Sequence, residues 1–344
     1  MKVSNMAEIL GQEDVLSLNK QSKKHISGSE MHLINKSKFV GRDFISLHDY
    51  TTEEIAYMLQ VADELKAEQK AGIAHPLLQG KTLGMIFAKS STRTRVSFEV
   101  GVLQLGGHAL FLSSRDIQLG RGEPISDTAR VLSRMVDGIM IRTFSHQEVL
   151  ELAEYASVPV INGLTDLLHP AQVLADLMTI QEYKGNLAGL KLAYIGDGNN
   201  MANSLMFGGA KMGMQVVIAS PNGYQPDPQI VAMAQADAAA CGGVVEVVED
   251  PILAARDADV LYTDVWASMG QEEEAEVRRQ AFEGYQINDR LLAIANPGAI
   301  VMHCLPAHRG EEITAEVLEG NHSVVFDQAE NRLHAQKAIM ALVM

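Results

Sequence analysis

The sequence has 344 residues, with 28 Lys and Arg against 43 Asp and Glu, and a formal net charge of −15 at pH 7. This charge argues against nucleic acids and anionic membranes as partners, since both bind basic surfaces. No apolar run approaches the roughly 20 residues of a membrane helix. The composition, 47% hydrophobic and 21% charged, is typical of a globular protein, and the length predicts about two domains. Two cysteines are too few for a disulfide framework and favour a reducing, cytoplasmic environment.

Residues 1–38 differ in character from the rest of the chain. They are polar and carry no apolar core of the about 7–15 residues that a secretory signal needs. They also contain no Arg and several acidic residues, which is unlike a mitochondrial presequence. We therefore expect a disordered N-terminal extension, with the globular part beginning at Phe39.

From there, short β-branched runs alternate with amphipathic helical patterns, beginning with a helix whose capping box pairs Thr51 with Glu54. Most of the apolar runs are continuous, as in parallel strands that are covered on both faces. The predicted strands are 82–88, 108–113, 138–142, 159–162, 190–195, 215–219, 244–248, 259–263, 299–304 and 323–326. A helix over 169–185 is predicted to join the halves, and a terminal helix covers 328–343.

This alternation predicts an α/β fold with two doubly wound domains, each with a central parallel sheet flanked by helices. We assign residues 39–168 to the first domain and 169–327 to the second, with the terminal helix 328–344 packing back on the first. In open parallel sheets, ligands bind beyond the carboxyl ends of the strands. The residues that follow each strand are therefore the candidates for a functional site.

The run Lys89-Ser90-Ser91-Thr92-Arg93-Thr94-Arg95 follows the first predicted strand and precedes a helical pattern. Helix N-termini bind phosphate through free backbone N–H groups, and Arg adds charge-assisted hydrogen bonds. The sequence is not a nucleotide P-loop, which needs Gly-x4-Gly-Lys-Ser/Thr. The run predicts an anion-binding loop; the alternative is a Ser-capped helix with solvated arginines.

Two further groups follow strands of the first half. Arg142 ends the apolar strand 138–142, and His169 and Gln172 belong to His169-Pro170-Ala171-Gln172. Proline is favoured at the first helical position, so His169 is predicted as the N-cap, with Gln172 one turn along. The His could donate to a carbonyl oxygen and the Gln could accept from an amide. A structural His is the alternative.

In the second half, Gly196-Asp197-Gly198-Asn199-Asn200-Met201 follows a strand and imitates a dinucleotide fingerprint. Met201 stands where the third glycine is needed, and no acid follows the next strand to hold a ribose. A dehydrogenase is therefore a weak alternative. Amide side chains at the start of a helix are better suited to binding an amino acid than a dinucleotide.

Asp264 follows a further strand and could hold an ammonium group, and Trp266-Ala267-Ser268-Met269-Gly270 opens a polar loop that is a candidate lid. The alternative is an ordinary surface loop. His303-Cys304-Leu305-Pro306 ends an apolar strand. A zinc site at Cys304 is not favoured, because the sequence around it lacks regularly spaced further ligands. A hydrolase with Cys304 as the nucleophile is not favoured either, because no base is assured.

Taken together, Ser91-Thr92-Arg93-Thr94-Arg95, His169-Pro170-Ala171-Gln172, Asp264 with Ser268-Met269-Gly270, and His303-Cys304-Leu305-Pro306 resemble the ornithine carbamoyltransferases of the aspartate/ornithine carbamoyltransferase family. The resemblance extends from about residue 40 to the C-terminus. It implies a carbamoyl phosphate-binding first domain and an ornithine-binding second domain. The carbamoyl phosphate-binding residues that it implies are Ser91, Thr92, Arg93, Thr94, Gln118, Arg142, His169, Gln172, Cys304, Leu305 and Arg332. The ornithine-binding residues that it implies are Asn200, Asp264, Ser268 and Met269. The catalytic residues that it implies are Arg142, His169, Asp264 and Cys304.

The resemblance also implies an activity, the transfer of a carbamoyl group from carbamoyl phosphate to the side-chain amine of L-ornithine, in arginine metabolism. It implies no metal and no organic cofactor. It implies a homotrimer, or an assembly of trimers, in which Gln118 reaches the phosphate of a neighbouring subunit. Relatives that use aspartate, putrescine or N-acetylornithine are the alternatives, and the Ser-Met-Gly loop favours ornithine. A non-catalytic binding protein of the same fold is a further alternative.

Overall fold

The computed structural model describes residues 36–267 and 272–344. The predicted extension 1–38 lies outside the described residues except for Lys36–Lys38, which form a 3-10 turn. The strands are β1 (Thr82–Phe87), β2 (His108–Ser113), β3 (Gly138–Arg142), β4 (Val160–Leu164), β5 (Lys191–Ile195), β6 (Gln215–Ala219), β7 (Val244–Val248), β8 (Val260–Thr263) and β9 (Ile300–His303).

The α-helices alternate with these strands. They are α1 (Thr52–Lys70), α2 (Thr92–Gln104), α3 (Ile125–Leu132), α4 (His146–Tyr155), α5 (Pro170–Lys184), α6 (Asn200–Lys211), α7 (Pro228–Cys241), α8 (Pro251–Ala255), α9 (Ala275–Ala281), α10 (Asp289–Ile294), α11 (Ala315–Leu318) and α12 (Val325–Val343). Helix α1 begins with the predicted capping box, in which Thr51 and Glu54 bond each other's backbone N–H groups. No helix within the described ranges is both long and apolar enough to cross a membrane.

The strands form two parallel sheets, which confirms the predicted α/β class. The first sheet has the order β2-β1-β3-β4 and the second has the order β7-β6-β5-β8-β9. In the first sheet, Phe87 at the end of β1 pairs with Arg142 at the end of β3. In the second, Thr263 at the end of β8 pairs with His303 at the end of β9. The residues that follow these strands are therefore neighbours, as expected at the carboxyl edge of a parallel sheet.

Helices α5 and α12 pack against each other and connect the two sheets. The largest apolar cluster runs without interruption through both halves, from Leu83 and Met140 beside the first sheet, through Leu177 and Ile339 on these helices, to Tyr262 in the second. Every residue from Pro170 to Ile180 is buried. Helix α12 also packs on α1 and α2, so the terminal helix returns to the first half of the chain.

One predicted strand, 323–326, is wrong. Ser323 makes only an isolated bridge to Val301, and Val325 already begins α12, where the Gln328 N–H donates to the Val324 carbonyl. A short apolar run fits a buried strand and a buried helix start equally well by periodicity alone. The terminal helix consequently starts three residues before the predicted 328.

Candidate active site

The loop after β1 brings hydroxyl and guanidinium groups to the start of α2. Ser91 is the N-cap, and its hydroxyl oxygen accepts a hydrogen bond from the Thr94 N–H at 3.1 Å. The buried Thr94 hydroxyl accepts from Arg332 Nη2 at 2.7 Å. Arg93 Nε is buried and has no hydrogen-bond partner among the described residues. Free helix N–H groups and unpaired guanidinium nitrogens are the donors that bind phosphate.

Three arginines from three different elements share this region. Burial beside the positive charges of Arg332 and Arg93 lowers the pKa of Arg142 to about 9. Burial and the charge of Arg93 likewise lower the pKa of Arg332, on α12, to about 10. Arg142 Nε and Arg332 Nε are buried without hydrogen-bond partners within the described part of the chain. Cations that repel one another out of water are stabilised by an anion of high charge, such as a phosphate group.

His169 lies against the same charges. It is the N-cap of α5, as predicted, and its backbone N–H donates to the Ser204 hydroxyl at 2.7 Å. Burial and the charges of Arg332, Arg142 and Arg93 hold the pKa of His169 well below its usual value. The imidazole is therefore neutral at neutral pH, and its Nδ1 is buried with no partner among the described residues. A neutral imidazole can donate one hydrogen bond to an oxygen without adding a positive charge.

Gln172, one turn after His169, is held by a buried carboxylate. Its Nε2 donates to Asp176 Oδ1 at 2.9 Å, and its Oε1 is buried without a partner in the described chain. Asp176 also accepts from Gln328 Nε2 at 2.8 Å and from the Tyr262 hydroxyl at 3.0 Å. Burial outweighs these hydrogen bonds and raises the pKa of Asp176 to about 7.

The second sheet contributes Asp264 and Cys304. The Cys304 thiol donates to Asp264 Oδ1 at 3.0 Å, and Asn199 Nδ2 donates to Asp264 Oδ2 at 3.1 Å. Burial and the charge of Asp264 raise the pKa of Cys304 well above its usual value, so the thiol is protonated. A protonated thiol bound to a carboxylate is a poor nucleophile. This geometry agrees with the preference against a Cys hydrolase.

Helix α12 connects the two sides of the site. Its Arg332 donates to the Thr94 hydroxyl at 2.7 Å, and its Gln328 accepts from the N–H of His303, the residue before Cys304, at 2.9 Å. The structure therefore gathers Arg93, Arg142, Arg332, His169 and the Asp264–Cys304 pair into one region between the sheets.

The glycine-rich turn after β5 is closed by the protein's own backbone. A Cβ on Gly198 would lie 2.2 Å from the Pro226 nitrogen, and the Gly198 N–H donates to the Tyr224 carbonyl at 2.8 Å. The second glycine of a dinucleotide fingerprint lets a pyrophosphate approach the backbone. Here the segment around Pro226 occupies that approach, which counts against the dehydrogenase alternative.

The turn also orients polar groups beside Asp264. Asn199 is the N-cap of α6, and Asn200 Nδ2 donates to the Thr165 carbonyl at 2.6 Å. Asp197 forms an ion pair with Arg278 at 2.9 Å, and Arg278 also donates to the Trp266 carbonyl at 3.0 Å. Because Asp197 already has a cationic partner, Asp264 is the better candidate of the two for binding an ammonium group.

The loop after β9 is held by His303. Its Nδ1 accepts from the Leu305 N–H at 2.8 Å, and its Nε2 lies 3.0 Å from Glu312 Oε1. Leu305 has a positive φ of 58°, which is uncommon for a residue other than glycine. Ligand atoms of Asp264, His303 and Cys304 lie within 4.8 Å of one another. Since both ring nitrogens of His303 are engaged, this group does not suit a metal.

Some predicted site residues lie apart from this cluster or outside the described residues. Gln118 is exposed in the 3-10 turn Gln118–Arg121, and its role toward a neighbouring subunit stays a prediction. Thr92 is exposed at the first turn of α2. Ser268 and Met269, with the rest of the Ser-Met-Gly motif, lie outside the described residues.

Sequence reasoning missed residues that hold the site together. Asp176 and Glu312 bond to residues of the candidate motifs, yet neither belongs to a motif itself. Asn199 lies in the predicted turn after β5, but its hydrogen bond to Asp264 was not predicted. A single carboxylate inside the otherwise uncharged stretch 170–180 is a signal that could have indicated Asp176.

Comparison with known proteins defines the class. Residues 42–182 match the domain described as "Aspartate/ornithine carbamoyltransferase, carbamoyl-P binding domain", and residues 188–343 match "Aspartate/ornithine carbamoyltransferase, Asp/Orn binding domain". The chain belongs to the aspartate/ornithine carbamoyltransferase family, which confirms the resemblance seen in its motifs.

Within that family the chain is similar to proteins named ornithine carbamoyltransferase. That of Symbiobacterium thermophilum is 67% identical over 304 residues, covering 88% of this chain and 98% of the relative. "Ornithine carbamoyltransferase, anabolic" of Pyrococcus furiosus is 59% identical, covering 88% of this chain and 96% of the relative. The solved structure of the ornithine carbamoyltransferase from Pyrococcus furiosus has a TM-score of 0.86, with 89% of this chain and 97% of that chain covered.

Proposed function

We propose that this enzyme transfers the carbamoyl group of carbamoyl phosphate to the side-chain amine of L-ornithine, giving L-citrulline and phosphate. One observation carries the proposal: three arginines and a neutral His169 adjoin the Asp264–Cys304 pair. Anion-binding and ammonium-binding groups thus meet at the ends of two sheets. The similarity to ornithine carbamoyltransferases over most of the chain supports the same activity.

Phosphate is the leaving group of the reaction. Arg93, with the hydroxyls and N–H groups of Ser91, Thr92 and Thr94, would bind its oxygens and neutralise its charge. Arg332 donates to Thr94 and so fixes the loop while adding its own charge. A phosphate whose charge is neutralised leaves more readily, because less charge repulsion builds up on the departing oxygens.

The carbamoyl oxygen gains negative charge as its carbon becomes tetrahedral. Arg142, His169 and the Thr94 hydroxyl would surround that oxygen, and preorganised donors of this kind are each worth about 10²–10³ in rate. A neutral His169 donates through one ring N–H. Gln172 Oε1 and the Leu305 carbonyl would accept from the carbamoyl amide and fix its orientation.

The ornithine side-chain amine must be neutral to attack. Its free pKa is about 10.4 by analogy with Lys, so it has to lose a proton in the site. Asp264 and Cys304 would orient the nitrogen, and Asn200, Ser268 and Met269 would bind the rest of the amino acid. The departing phosphate would take the proton.

The two domains are assigned to the two substrates. Residues 39–168, with the terminal helix packing on them, would bind carbamoyl phosphate, and residues 169–327 would bind ornithine. The family matches support two such domains in this order, but they divide the chain between residues 182 and 188, and the second match runs through the terminal helix to 343. We place the enzyme in the cytoplasm and in arginine biosynthesis, the latter because a close relative is named anabolic.

We further propose that the subunits form trimers, or assemblies of trimers, that share active sites. Edge strand β2 and helix α2 expose large apolar side chains, among them Leu103, Leu110 and Phe111. An exposed group of this kind is typical of a protein interface. Gln118 follows β2 and would reach the phosphate site of the adjoining subunit.

The test of function is phosphate release from carbamoyl phosphate with ornithine, putrescine, aspartate and N-acetylornithine in parallel. We expect release with ornithine to exceed the others by orders of magnitude. Faster release with putrescine would transfer the assignment to that amine. Binding of both substrates without any phosphate release would identify a non-catalytic relative.

A further inference from the structure

Asp176 is a fully buried carboxylate to which neither the sequence motifs nor the reaction gives a role. It lies in the second turn of α5 and receives hydrogen bonds from Gln172 on its own helix, from Tyr262 on β8 and from Gln328 on α12. Gln328 also donates to the Tyr262 hydroxyl at 3.0 Å, and its Oε1 accepts from the His303 N–H at 2.9 Å. These bonds join the candidate carbamoyl site to β8 and β9, the strands that Asp264 and Cys304 follow.

The orientation of the Gln172 carboxamide follows from this network. A carboxamide has nearly the same shape in its two flipped orientations, so its hydrogen-bond partners decide which way the oxygen and the NH₂ face. Asp176 Oδ1 is an acceptor, so the Gln172 group that faces it must be the NH₂. Gln172 Oε1 therefore points away from Asp176 and is left buried without a partner among the described residues.

A buried acceptor without a partner costs free energy unless a ligand supplies a donor. The carbamoyl group carries one donor group, its NH₂, and an isosteric acyl group with a methyl in that place carries none. If the Gln172 NH₂ faced the ligand instead, it would meet the carbamoyl NH₂, and two donors do not form a hydrogen bond. The direction of this one carboxamide thus decides whether the site accepts an amide.

We propose that Asp176 is a positioning residue: by holding the Gln172 NH₂, it presents Gln172 Oε1 to the carbamoyl NH₂ and makes the site selective for a carbamoyl over an acetyl group. The inference rests on the proposed function. It adds a determinant of donor selectivity that itself touches no substrate.

The test compares two stable ligands that differ only in this group. Phosphonoacetamide ends in an amide NH₂ and phosphonoacetone ends in a methyl, and each is measured as a competitive inhibitor against carbamoyl phosphate. In the wild-type enzyme we expect phosphonoacetamide to bind at least tenfold more tightly, about the worth of one buried hydrogen bond to an otherwise unpaired group.

Four variants separate positioning from general stability. Asp176→Leu has a similar volume and no acceptor, and we expect the preference to fall about tenfold, mainly through weaker phosphonoacetamide binding. Asp176→Asn keeps an oxygen that can accept from Gln172, so it should restore most of the preference. Gln172→Ala removes the acceptor and should remove the same preference. Tyr262→Phe, the matched control, breaks a different hydrogen bond to the same carboxylate and should leave the preference unchanged.

The outcomes are distinct. An Asp176→Leu enzyme that keeps the preference, or loses affinity equally for both ligands, overturns the proposal. So does an Asp176→Asn enzyme as impaired as Asp176→Leu, since charge rather than orientation would then matter. If Asp176→Leu does not fold, Gln172→Ala still decides, because retention of the preference in that variant contradicts an inward Oε1. A wild-type enzyme that releases no phosphate from carbamoyl phosphate with any amine would refute the proposed function instead.

Discussion

Arg142 is expected to reduce the stability of the free enzyme while being required for its activity. The residue is 6% exposed, and burial next to Arg332 and Arg93 lowers its pKa from 12.5 to about 9. At 1.36 kcal/mol per pKa unit, this fall means that the surroundings disfavour the charged side chain by about 5 kcal/mol. That value is an upper limit on the stability that removing the charge can recover.

The substitution Arg142→Met replaces the charge with an apolar chain of similar length. Such replacements of buried charges are often neutral or stabilising, by about 1–4 kcal/mol. We therefore expect a higher free energy of unfolding in the absence of anions. We also expect turnover to fall by about 10²–10³, because a donor to the carbamoyl oxygen is lost.

Urea denaturation in a buffer without phosphate or sulfate measures the change in the free energy of unfolding. The rise in melting temperature on adding phosphate measures anion binding at the arginine cluster. That rise should be smaller in Arg142→Met than in the wild-type enzyme. Arg278→Met is the matched control, because Arg278 is equally buried but lies 2.9 Å from Asp197. Removing it leaves a buried carboxylate unpaired and should destabilise by about 3–5 kcal/mol. If Arg142→Met is destabilised like Arg278→Met, the reasoning about repelling arginines is wrong.

Three further predictions concern single side chains. Arg93→Ala should raise the KM for carbamoyl phosphate and lower turnover by orders of magnitude in initial-rate kinetics; near-normal kinetics would remove Arg93 from the site. Asp264→Asn should weaken ornithine binding while carbamoyl phosphate still binds, and calorimetry with the opposite pattern would reverse that assignment. Lys337 is fully buried, and burial lowers its pKa from 10.5 to about 8, so below pH 8 its charge costs about 3 kcal/mol of stability. As the pH rises from 8 to 10.5 the folded protein loses this proton before the unfolded chain does, so the cost disappears over that range. Lys337→Met should therefore be more stable than the wild-type protein at pH 7. A stability difference between the two that does not change with pH would contradict a buried charge as its cause.

Much of the fold could be predicted because its strands are parallel and apolar: most are buried, and the partly exposed edge strands β2 and β7 carry the same kind of apolar run. Continuous apolar runs marked β2, β3, β6 and β7 at their observed ends. The exception, 323–326, is a buried helix start that has the same local composition as a strand. Local pattern does not decide between the two; the position of α12 against α1, α2 and α5 does.

The place of the candidate site residues in the fold could be predicted in part for a related reason. Strand ends converge at one edge of a parallel sheet, so the sequence predicts that Arg142 and the 89–95 loop lie at the same edge. That they are neighbours follows from the pairing of β1 with β3, which the sequence does not give. The supporting residues could not be inferred in this way. Asp176 and Gln328 are 152 positions apart in the sequence, and their hydrogen bond depends on how two helices pack. Selection of Asn199 over Asn200 as the N-cap likewise depends on local backbone geometry.

The last helix has a consequence for how the enzyme comes into being. Arg332 and Gln328 both lie on α12, which is translated after every strand of both sheets. Until this segment is added, a nascent chain contains every strand of both sheets but lacks the Arg332 guanidinium group and the Gln328 amide that donates to the Tyr262 hydroxyl. The three-arginine cluster is therefore completed late in biosynthesis, when the final helix docks and Arg332 reaches Thr94.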